Sequence, residues 1–297
     1  MKISPRRRLL LSGAAILPLL ALPPALAGTP ESPKTQAALE ELEKSLSGRL
    51  GLFALDTGNG RSLRFRAEER FPMCSTFKFM LTAAVLARSV TEPGLLAKRI
   101  PFSAADLQSY APVCAKRLGE AMSLEDLCAA AMEYSDNTAA NLLIRELGGP
   151  AEITRFARSI GDPAFRLDRI EPELNSAIPA DERDTTTPEA MAASLRQLVL
   201  GEALPLTQRK RLETWLLGNK VGAERIRAGL PADWRVGDKT GTGAFGTAND
   251  IAVLWPPQRA PIVLAIYTTR TTEKAAPRND VLAEATRIVV TWAREAP

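Results

Sequence analysis

The chain turns apolar at Met73-Cys74-Ser75-Thr76-Phe77-Lys78, and the apolar run continues through residues 79–86. This run predicts a buried helix, with Pro72 and the Ser-Thr pair as helix-entry residues. Ser75 and Lys78 are three positions apart, so a helix places the hydroxyl and the amine on one face.

This spacing is typical of a serine nucleophile that has its own base. A serine hydroxyl attacks weakly until a neighbouring base takes its proton. A lysine held in a partly dry, cation-rich pocket has a lowered pKa and can be that base. The first N–H groups of the same helix are available to an oxyanion beside Ser75. Ser-x-x-Lys also occurs in capped surface helices, so the assignment depends on the other motifs.

The first 27 residues predict a secretory signal peptide. Lys2 and the run Arg6-Arg7-Arg8 precede an apolar stretch over residues 9–22, and Ala25-Leu26-Ala27 supplies a small-residue cleavage site. The arginine run also fits a twin-arginine export signal. A transmembrane anchor is the alternative, which the short, proline-broken stretch disfavours. We expect cleavage near Ala27 and a periplasmic mature protein without a membrane partner.

The mature chain is expected to be formally neutral. Removing residues 1–27 takes away four of the 38 basic residues and none of the 34 acidic ones. A nucleic-acid partner is therefore not expected. The 270 residues that remain suit one large domain or two interleaved ones, and no helical seam demands a second subunit, so we expect a monomer.

Histidine is absent from the sequence, which excludes Ser-His-Asp and Cys-His catalysis and leaves no imidazole for a zinc site. The three cysteines, Cys74, Cys114 and Cys128, lack metal-binding spacing. Their odd number favours buried free thiols over the disulfide that an exported protein could form. No metal and no cofactor are expected, and a serine nucleophile would depend on Lys or Glu for proton transfer.

Strands are predicted near both ends of the mature chain, with helices between them. The predicted strands are residues 49–56, 62–66, 234–239, 249–255 and 262–268. Helices are predicted over 31–47, from Ser75 with few breaks to about 160, over 188–217 and over 281–294.

This order predicts an α/β fold, in which an antiparallel sheet flanked by N- and C-terminal helices carries an inserted all-helical domain. Residues 28–66 and 219–297 would form the sheet domain, and 67–218 the helical domain, including a loop at 169–184. The irregular stretch 162–187 is long for a loop, and loops of that length are usually functional.

Two further motifs carry polar groups suited to serine chemistry. Ser135-Asp136-Asn137 offers a second hydroxyl to relay a proton, and an amide to bind a substrate carbonyl and Lys78. Lys239-Thr240-Gly241-Thr242-Gly243 ends a predicted strand, where a cation and two hydroxyls could hold a carboxylate and a backbone N–H could face an oxyanion. Taken singly, these motifs are also a helix cap and a hairpin turn.

The long loop contains a candidate water-activating pair. Glu171 and Asn175 are four residues apart and could together hold one water molecule, for which a glutamate is a fitting general base. Arg169 and Asp184 bracket the segment and could close it with an ion pair. An ordinary solvated Glu-Pro turn is the alternative.

In combination, the motifs resemble those of class A serine β-lactamases. They occur in the order Ser75-x-x-Lys78, Ser135-Asp136-Asn137, Glu171-x-x-Leu174-Asn175 and Lys239-Thr240-Gly241, with 59, 35 and 67 residues between their leading positions. The similarity runs from about residue 31 to the C-terminus and includes Tyr110 at an aromatic gate position.

The resemblance implies hydrolysis of penicillins and cephalosporins, and hence β-lactam resistance. Ser75 would attack the lactam carbonyl, with an oxyanion hole made by the N–H groups of Ser75 and Thr242. Either Lys78 or Glu171, acting through a water, would take the serine proton, an assignment that is disputed for the family. Ser135 would protonate the leaving nitrogen, and Glu171 with Asn175 would activate the hydrolytic water.

The resemblance also implies how substrate is held. Asn137 would bind the amide side chain. The substrate carboxylate would be bound by Lys239, Thr240 and Thr242, with Arg225 as a supporting cation.

The cysteines depart from two family patterns. The position that would pair with Cys128 is Thr82, and the position that would pair with Cys74 in family carbapenemases is Gly243. The second departure argues against strong carbapenem hydrolysis, whereas the hydroxyl of Thr242 often accompanies a broad cephalosporin or carbapenem range.

Two other functions fit part of the motif set. A penicillin-binding D,D-peptidase shares the nucleophile, Ser-x-Asn and Lys-Thr-Gly elements but stays acylated, and only rapid deacylation requires the Glu171–Asn175 pair. A β-lactam sensor domain would also trap the drug, and it normally comes with transmembrane helices.

Overall fold

A computed structural model describes residues 33–295, so the predicted signal peptide lies outside the described residues. The strands are β1 (Gly48–Asp56), β2 (Ser62–Phe65), β3 (Phe71–Pro72), β4 (Arg99–Pro101), β5 (Ala121–Ser123), β6 (Thr185–Thr186), β7 (Arg235–Thr242), β8 (Ala248–Trp255) and β9 (Ile262–Arg270). The helices are α1 (Pro33–Leu46), α2 (Phe77–Thr91), α3 (Leu124–Glu133), α4 (Asn137–Leu147), α5 (Pro150–Ser159), α6 (Pro188–Leu195), α7 (Leu206–Leu217), α8 (Ile226–Gly229) and α9 (Asn279–Arg294).

The main sheet is antiparallel and has the strand order β2-β1-β9-β8-β7. Both ends of the chain therefore build one sheet, as the sequence predicts. The terminal helices α1 and α9 pack against each other on one face of it. Helix α9 buries Val281, Ala285, Val289 and Trp292, whose spacing of three or four residues forms an apolar stripe.

Helix α2 runs through the middle of the helical part of the molecule. Residues 77–86 are all buried, and α3, α4, α5 and α7 surround the helix. The predicted buried helix is confirmed, although Ser75 itself lies just before it, in a 3-10 turn (Cys74–Thr76). The first turn of α2 thus carries Lys78 into the interior.

Two short ladders were not predicted from the sequence. β4 pairs with β5, and β3 pairs with β6. Strands of two or three residues are too short to show an alternating pattern. The β3–β6 ladder joins the segment that leads into Ser75 to the end of the long loop, and Met73 N–H donates to Asp184 O at 2.9 Å beside it.

The predicted ion pair that closes the long loop is confirmed. Arg169 Nε lies 2.5 Å from Asp184 Oδ2. Asp184 is fully buried, and its Oδ1 accepts hydrogen bonds from the N–H groups of Asp168 and Arg169 at 2.7 and 2.9 Å. The loop holds a cis peptide bond between Glu171 and Pro172.

Within residues 33–295, no helix is long and apolar enough to cross a membrane.

The predicted division into a sheet domain and a helical domain stays a prediction.

The buried carboxylate that closes the loop gives a stability prediction. Asp184→Ala removes the partner of Arg169 and leaves two backbone N–H groups without an acceptor, so we expect the free energy of unfolding to fall by about 3 kcal/mol. Urea denaturation measures this. Asp181→Ala is the matched control in the same loop, because Asp181 pairs only with Arg183, which is half exposed, and it should change stability little. Equal losses for the two variants would contradict the account.

Candidate active site

The turn that carries Ser75 is held against strand β7. Gly241 on β7 lies so close that an added Cβ would be 2.7 Å from Met73 O and 3.2 Å from Ser75 N. Cys74, in the middle of this contact, has a positive φ of 46°. The close approach brings the backbone of β7 beside the predicted nucleophile.

Lys78 lies at the centre of the polar groups. Its side chain is 0% exposed, and its Nζ is 3.0 Å from Ser75 Oγ and 3.0 Å from Glu171 Oε1. It also donates to Ser135 O at 2.8 Å and to Asn137 Oδ1 at 2.6 Å. The structure therefore brings three of the four predicted motifs together on a single amine.

Burial lowers the pKa of Lys78 below its ordinary value of 10.5, and the Glu171 carboxylate partly opposes that shift. The pKa of Lys239 lies well below its ordinary value of 10.5. Burial is the main cause, and the positive charge of Lys78 is the second. Two buried lysines near one hydroxyl make each other's protonation less favourable.

The hydroxyl of Ser135 lies between the two lysines. Its Oγ is 3.3 Å from Lys78 Nζ and 3.1 Å from Lys239 Nζ. Ser135 has a positive φ of 58°, which a non-glycine residue adopts only when its surroundings impose it. The next residue, Asp136, fixes this bend, because its carboxylate caps α4 and accepts the N–H groups of Val113 and Cys114.

Glu171 reaches the site from the long loop. Its Oε1 is 3.5 Å from Ser75 Oγ, and Asn175 Nδ2 donates to its other oxygen. Asn175 Oδ1 is buried and has no hydrogen-bond partner among the described residues.

Asn141 anchors Glu171, and sequence reasoning missed it. The Asn141 amide exchanges two hydrogen bonds, each 2.9 Å long, with the backbone N–H and C=O of Glu171. One signal was available, because Asn141 lies four residues after Asn137 and so shares its face of α4. Nothing in the sequence connected that face with the loop.

Ser75, Ser135 and Asn175 border a cleft of about 320 Å³. It is lined by Ser75, Tyr110, Ser135, Asn137, Asn175, Val221, Arg225, Thr240, Gly241 and Thr242. Tyr110, the predicted gate residue, is 47% exposed at the rim, and Val221, also at the rim, was not predicted.

Arg225 lies behind the β7 side of the cleft. Its Nη2 donates to Thr242 Oγ1 at 2.6 Å, and its Nη1 donates to the carbonyls of Gly241 and Asn249 at 2.6 and 2.8 Å. Burial lowers its pKa. Asn279, at the start of α9, accepts from Arg225 Nε at 2.9 Å and is a second contact that the sequence did not predict.

Comparison with known proteins agrees with this geometry. Residues 34–293 match the model of the β-lactamase enzyme family. The chain belongs to this family.

The relatives of this β-lactamase include CTX-M-25 of Escherichia coli, 53% identical over 97% of this chain and 98% of that protein, and OXY-1 of Klebsiella oxytoca, 51% identical over 95% and 97%. A solved β-lactamase from Desulfarculus baarsii is 56% identical, covers 89% of this chain and 98% of its own, and superposes with a TM-score of 0.87. Another solved structure is a variant of the class A enzyme of the last common ancestor of Gram-negative bacteria, bound to a transition-state analogue. It is 56% identical, covers 88% of this chain and 99% of its own, and superposes with a TM-score of 0.85. This chain is accordingly a class A serine β-lactamase.

The cysteines of this β-lactamase are free, as predicted. Cys74, Cys114 and Cys128 are all buried, and burial raises the pKa of each thiol. A Cβ on Gly243 would lie 2.6 Å from Cys74 Sγ, so the glycine is the direct neighbour of that thiol.

The contact between β7 and the nucleophile turn gives a prediction for activity. Gly241→Ala places a methyl group against the backbone at Met73 and Ser75, so the strand and the turn must separate, and we expect kcat/KM for nitrocefin to fall at least about tenfold. Gly237→Ala is the control on the same strand, because the three atoms nearest to its added methyl belong to Leu216 and Leu217, with Leu216 Cβ at 3.0 Å, and not to the nucleophile turn. It should lower Tm slightly and keep kcat/KM; a similar kinetic loss in both variants would refute the prediction.

Proposed function

We propose that this β-lactamase opens the β-lactam amide bond of penicillins and cephalosporins through an acyl-enzyme on Ser75, and so confers β-lactam resistance. The observation that carries this proposal is the position of the Lys78 amine, 3.0 Å from both the Ser75 hydroxyl and the Glu171 carboxylate. The nucleophile thus has one proton acceptor for acylation and another for deacylation.

Acylation is assigned to Lys78 as the base. Its Nζ is nearer to Ser75 Oγ, at 3.0 Å, than Glu171 Oε1 is, at 3.5 Å. Its lowered pKa increases the fraction of neutral amine that can accept the serine proton. Ser135, which contacts both lysines, then passes a proton to the departing lactam nitrogen.

The oxyanion of the tetrahedral intermediate is assigned to the backbone N–H groups of Ser75 and Thr242. The close approach of Gly241 to the nucleophile turn supports this assignment, because it brings the end of β7 beside Ser75. Backbone donors fixed in this way need no rearrangement when the charge develops.

Deacylation is assigned to a water held by Glu171 and Asn175. The carboxylate reaches within 3.5 Å of Ser75 Oγ, and Asn175 adds a buried amide oxygen without a partner among the described residues. Both can orient a water toward the ester carbon, and Glu171 can take its proton. This pair distinguishes a turning-over enzyme from a trapped peptidase or sensor.

Substrate binding is assigned to the β7 side of the cleft and to its rim. Lys239, Thr240 and Thr242 would hold the substrate carboxylate, with Arg225 supporting Thr242 from behind. An arriving carboxylate favours the charged form of Lys239, whose pKa burial has lowered. Asn137 would bind the amide side chain, and Tyr110 would contact the substrate at the rim.

The surroundings of the enzyme are also part of the proposal. We infer a periplasmic monomer, exported by the signal peptide of residues 1–27, with small-molecule β-lactams as its partners and no nucleic-acid or membrane partner. The division into residues 28–66 with 219–297, and 67–218, is proposed on the strand order of the sheet.

The nucleophile assignment is tested by Ser75→Ala. Hydrolysis of benzylpenicillin should fall by ~10⁴-fold, because no other group can form the acyl intermediate. Ser89→Ala, at the far end of the same helix, is the matched control and should keep full activity. Substantial turnover by Ser75→Ala, measured by loss of drug absorbance, would remove the covalent mechanism.

The acylation base is tested in Glu171→Gln. If Lys78 is the base, the rate of adduct formation with benzylpenicillin should rise with pH and level off above the pKa of Lys78, below 10.5, because only the neutral amine accepts the proton. The Glu171 carboxylate raises the pKa of Lys78. Its replacement by glutamine should therefore lower the pH at which the acylation rate is half-maximal. Rapid-quench mass spectrometry across pH measures the rate; loss of acylation at every pH would instead assign the base to Glu171.

A further inference from the structure

A cavity larger than the catalytic cleft lies elsewhere among the described residues. It measures about 720 Å³, against about 320 Å³ for the cleft, and the two share no lining residue. Its walls are the start of β1, the segment 69–72, the loop segment 177–182, and residues 269–271 at the end of β9. A volume of this size is typical of pockets that enclose a drug-sized ligand.

One side of this cavity is apolar. Pro72, Ala177, Ile178, Pro179 and Ala180 line it, and Ile178 is 49% exposed. A large aliphatic side chain that faces a cavity loses its contact with water when an apolar body fills the space, which favours binding.

The other side of the cavity carries an excess of unpaired positive charge. Its acidic residues already have cationic partners: Glu69 lies 2.6 Å from Arg49, and Asp181 lies 2.7 Å from Arg183. Glu182 is 3.7 Å from Arg166, a cation outside the lining.

Two lining arginines have no such partner. Arg70 donates to Ala164 O at 2.8 Å and Thr185 Oγ1 at 3.0 Å, and Arg270 donates to the carbonyls of Leu46 and Ala276 at 3.1 and 3.3 Å. Neither guanidinium forms an ion pair within the part of the chain that the structure describes. Neutral acceptors leave the full charge of both groups available to an incoming anion.

We propose that this cavity is a second binding site, which takes an aromatic organic monoanion. The ring system packs against Pro72 and Ile178, and the carboxylate or sulfonate is bound by Arg70 and Arg270. A planar guanidinium matches the two oxygens of such a group, so one anionic end and one apolar body satisfy both sides of the cavity. An organic cation or a neutral apolar molecule would leave the arginines unpaired.

The site is tested with 8-anilinonaphthalene-1-sulfonate, an aromatic monoanion whose fluorescence rises on binding. Titration of the wild-type enzyme should saturate at one molecule per chain. Arg270→Met should weaken Kd at least about tenfold, as expected for the loss of a hydrogen bond between charged groups, and Arg270→Lys should recover part of that loss.

A matched pair of variants locates the probe. Ile178→Glu and Val221→Glu each replace an exposed apolar side chain by an anion, one in the second cavity and one at the rim of the cleft. Ile178→Glu should weaken Kd at least about tenfold, and Val221→Glu should leave it within about twofold. Thermal melts establish that each variant is folded.

A further measurement needs no variant. In the wild type, amide chemical-shift changes on titration should cluster in residues 177–182 and 269–271. The proposal is overturned if probe binding does not saturate, or if Ile178→Glu and Arg270→Met bind the probe as tightly as the wild type does. It is also overturned if Val221→Glu weakens Kd and the chemical-shift changes lie in residues that line the catalytic cleft.

Discussion

The contact on which this site depends is that of a buried lysine amine with a serine hydroxyl and a carboxylate. Lys78 Nζ is completely buried and lies 3.0 Å from both Ser75 Oγ and Glu171 Oε1. An uncompensated charge in such a position costs several kcal/mol, so every element that supplies a partner must be held in place. The Ser135 bend, the long loop and strand β7 are all positioned by contacts that meet this requirement.

Each of those supporting contacts consists of several hydrogen bonds. Asp184 closes the loop with an ion pair and two backbone hydrogen bonds, and Asn141 fixes Glu171 by both of its backbone groups. Cys74 and Ser135 keep positive φ angles, which cost of order 1–3 kcal/mol each and persist only where the surroundings impose them. The fold thus stabilises an arrangement that is locally unfavourable and therefore reactive.

The residues to which we assign the chemistry were easier to recognise in the sequence than the residues that position them. Ser75 with Lys78, and Glu171 with Asn175, were recognisable because each pair is close in the chain and its chemistry requires particular residue types. Asn141 and Asn279 act through hydrogen bonds to segments 30 and 54 residues away, and nothing local marks such contacts. The β3–β6 ladder and the second cavity likewise arise only when distant segments meet, so their physical basis is tertiary packing.

The central claim is that the acyl-enzyme forms on Ser75 and is then released. Its most direct test is intact-protein mass spectrometry of the mature wild type mixed with excess benzylpenicillin, followed over time together with drug absorbance. The account predicts that many equivalents of drug are consumed and that the protein returns to its free mass. One equivalent consumed, with a lasting adduct on Ser75, would contradict it and indicate a peptidase or a sensor.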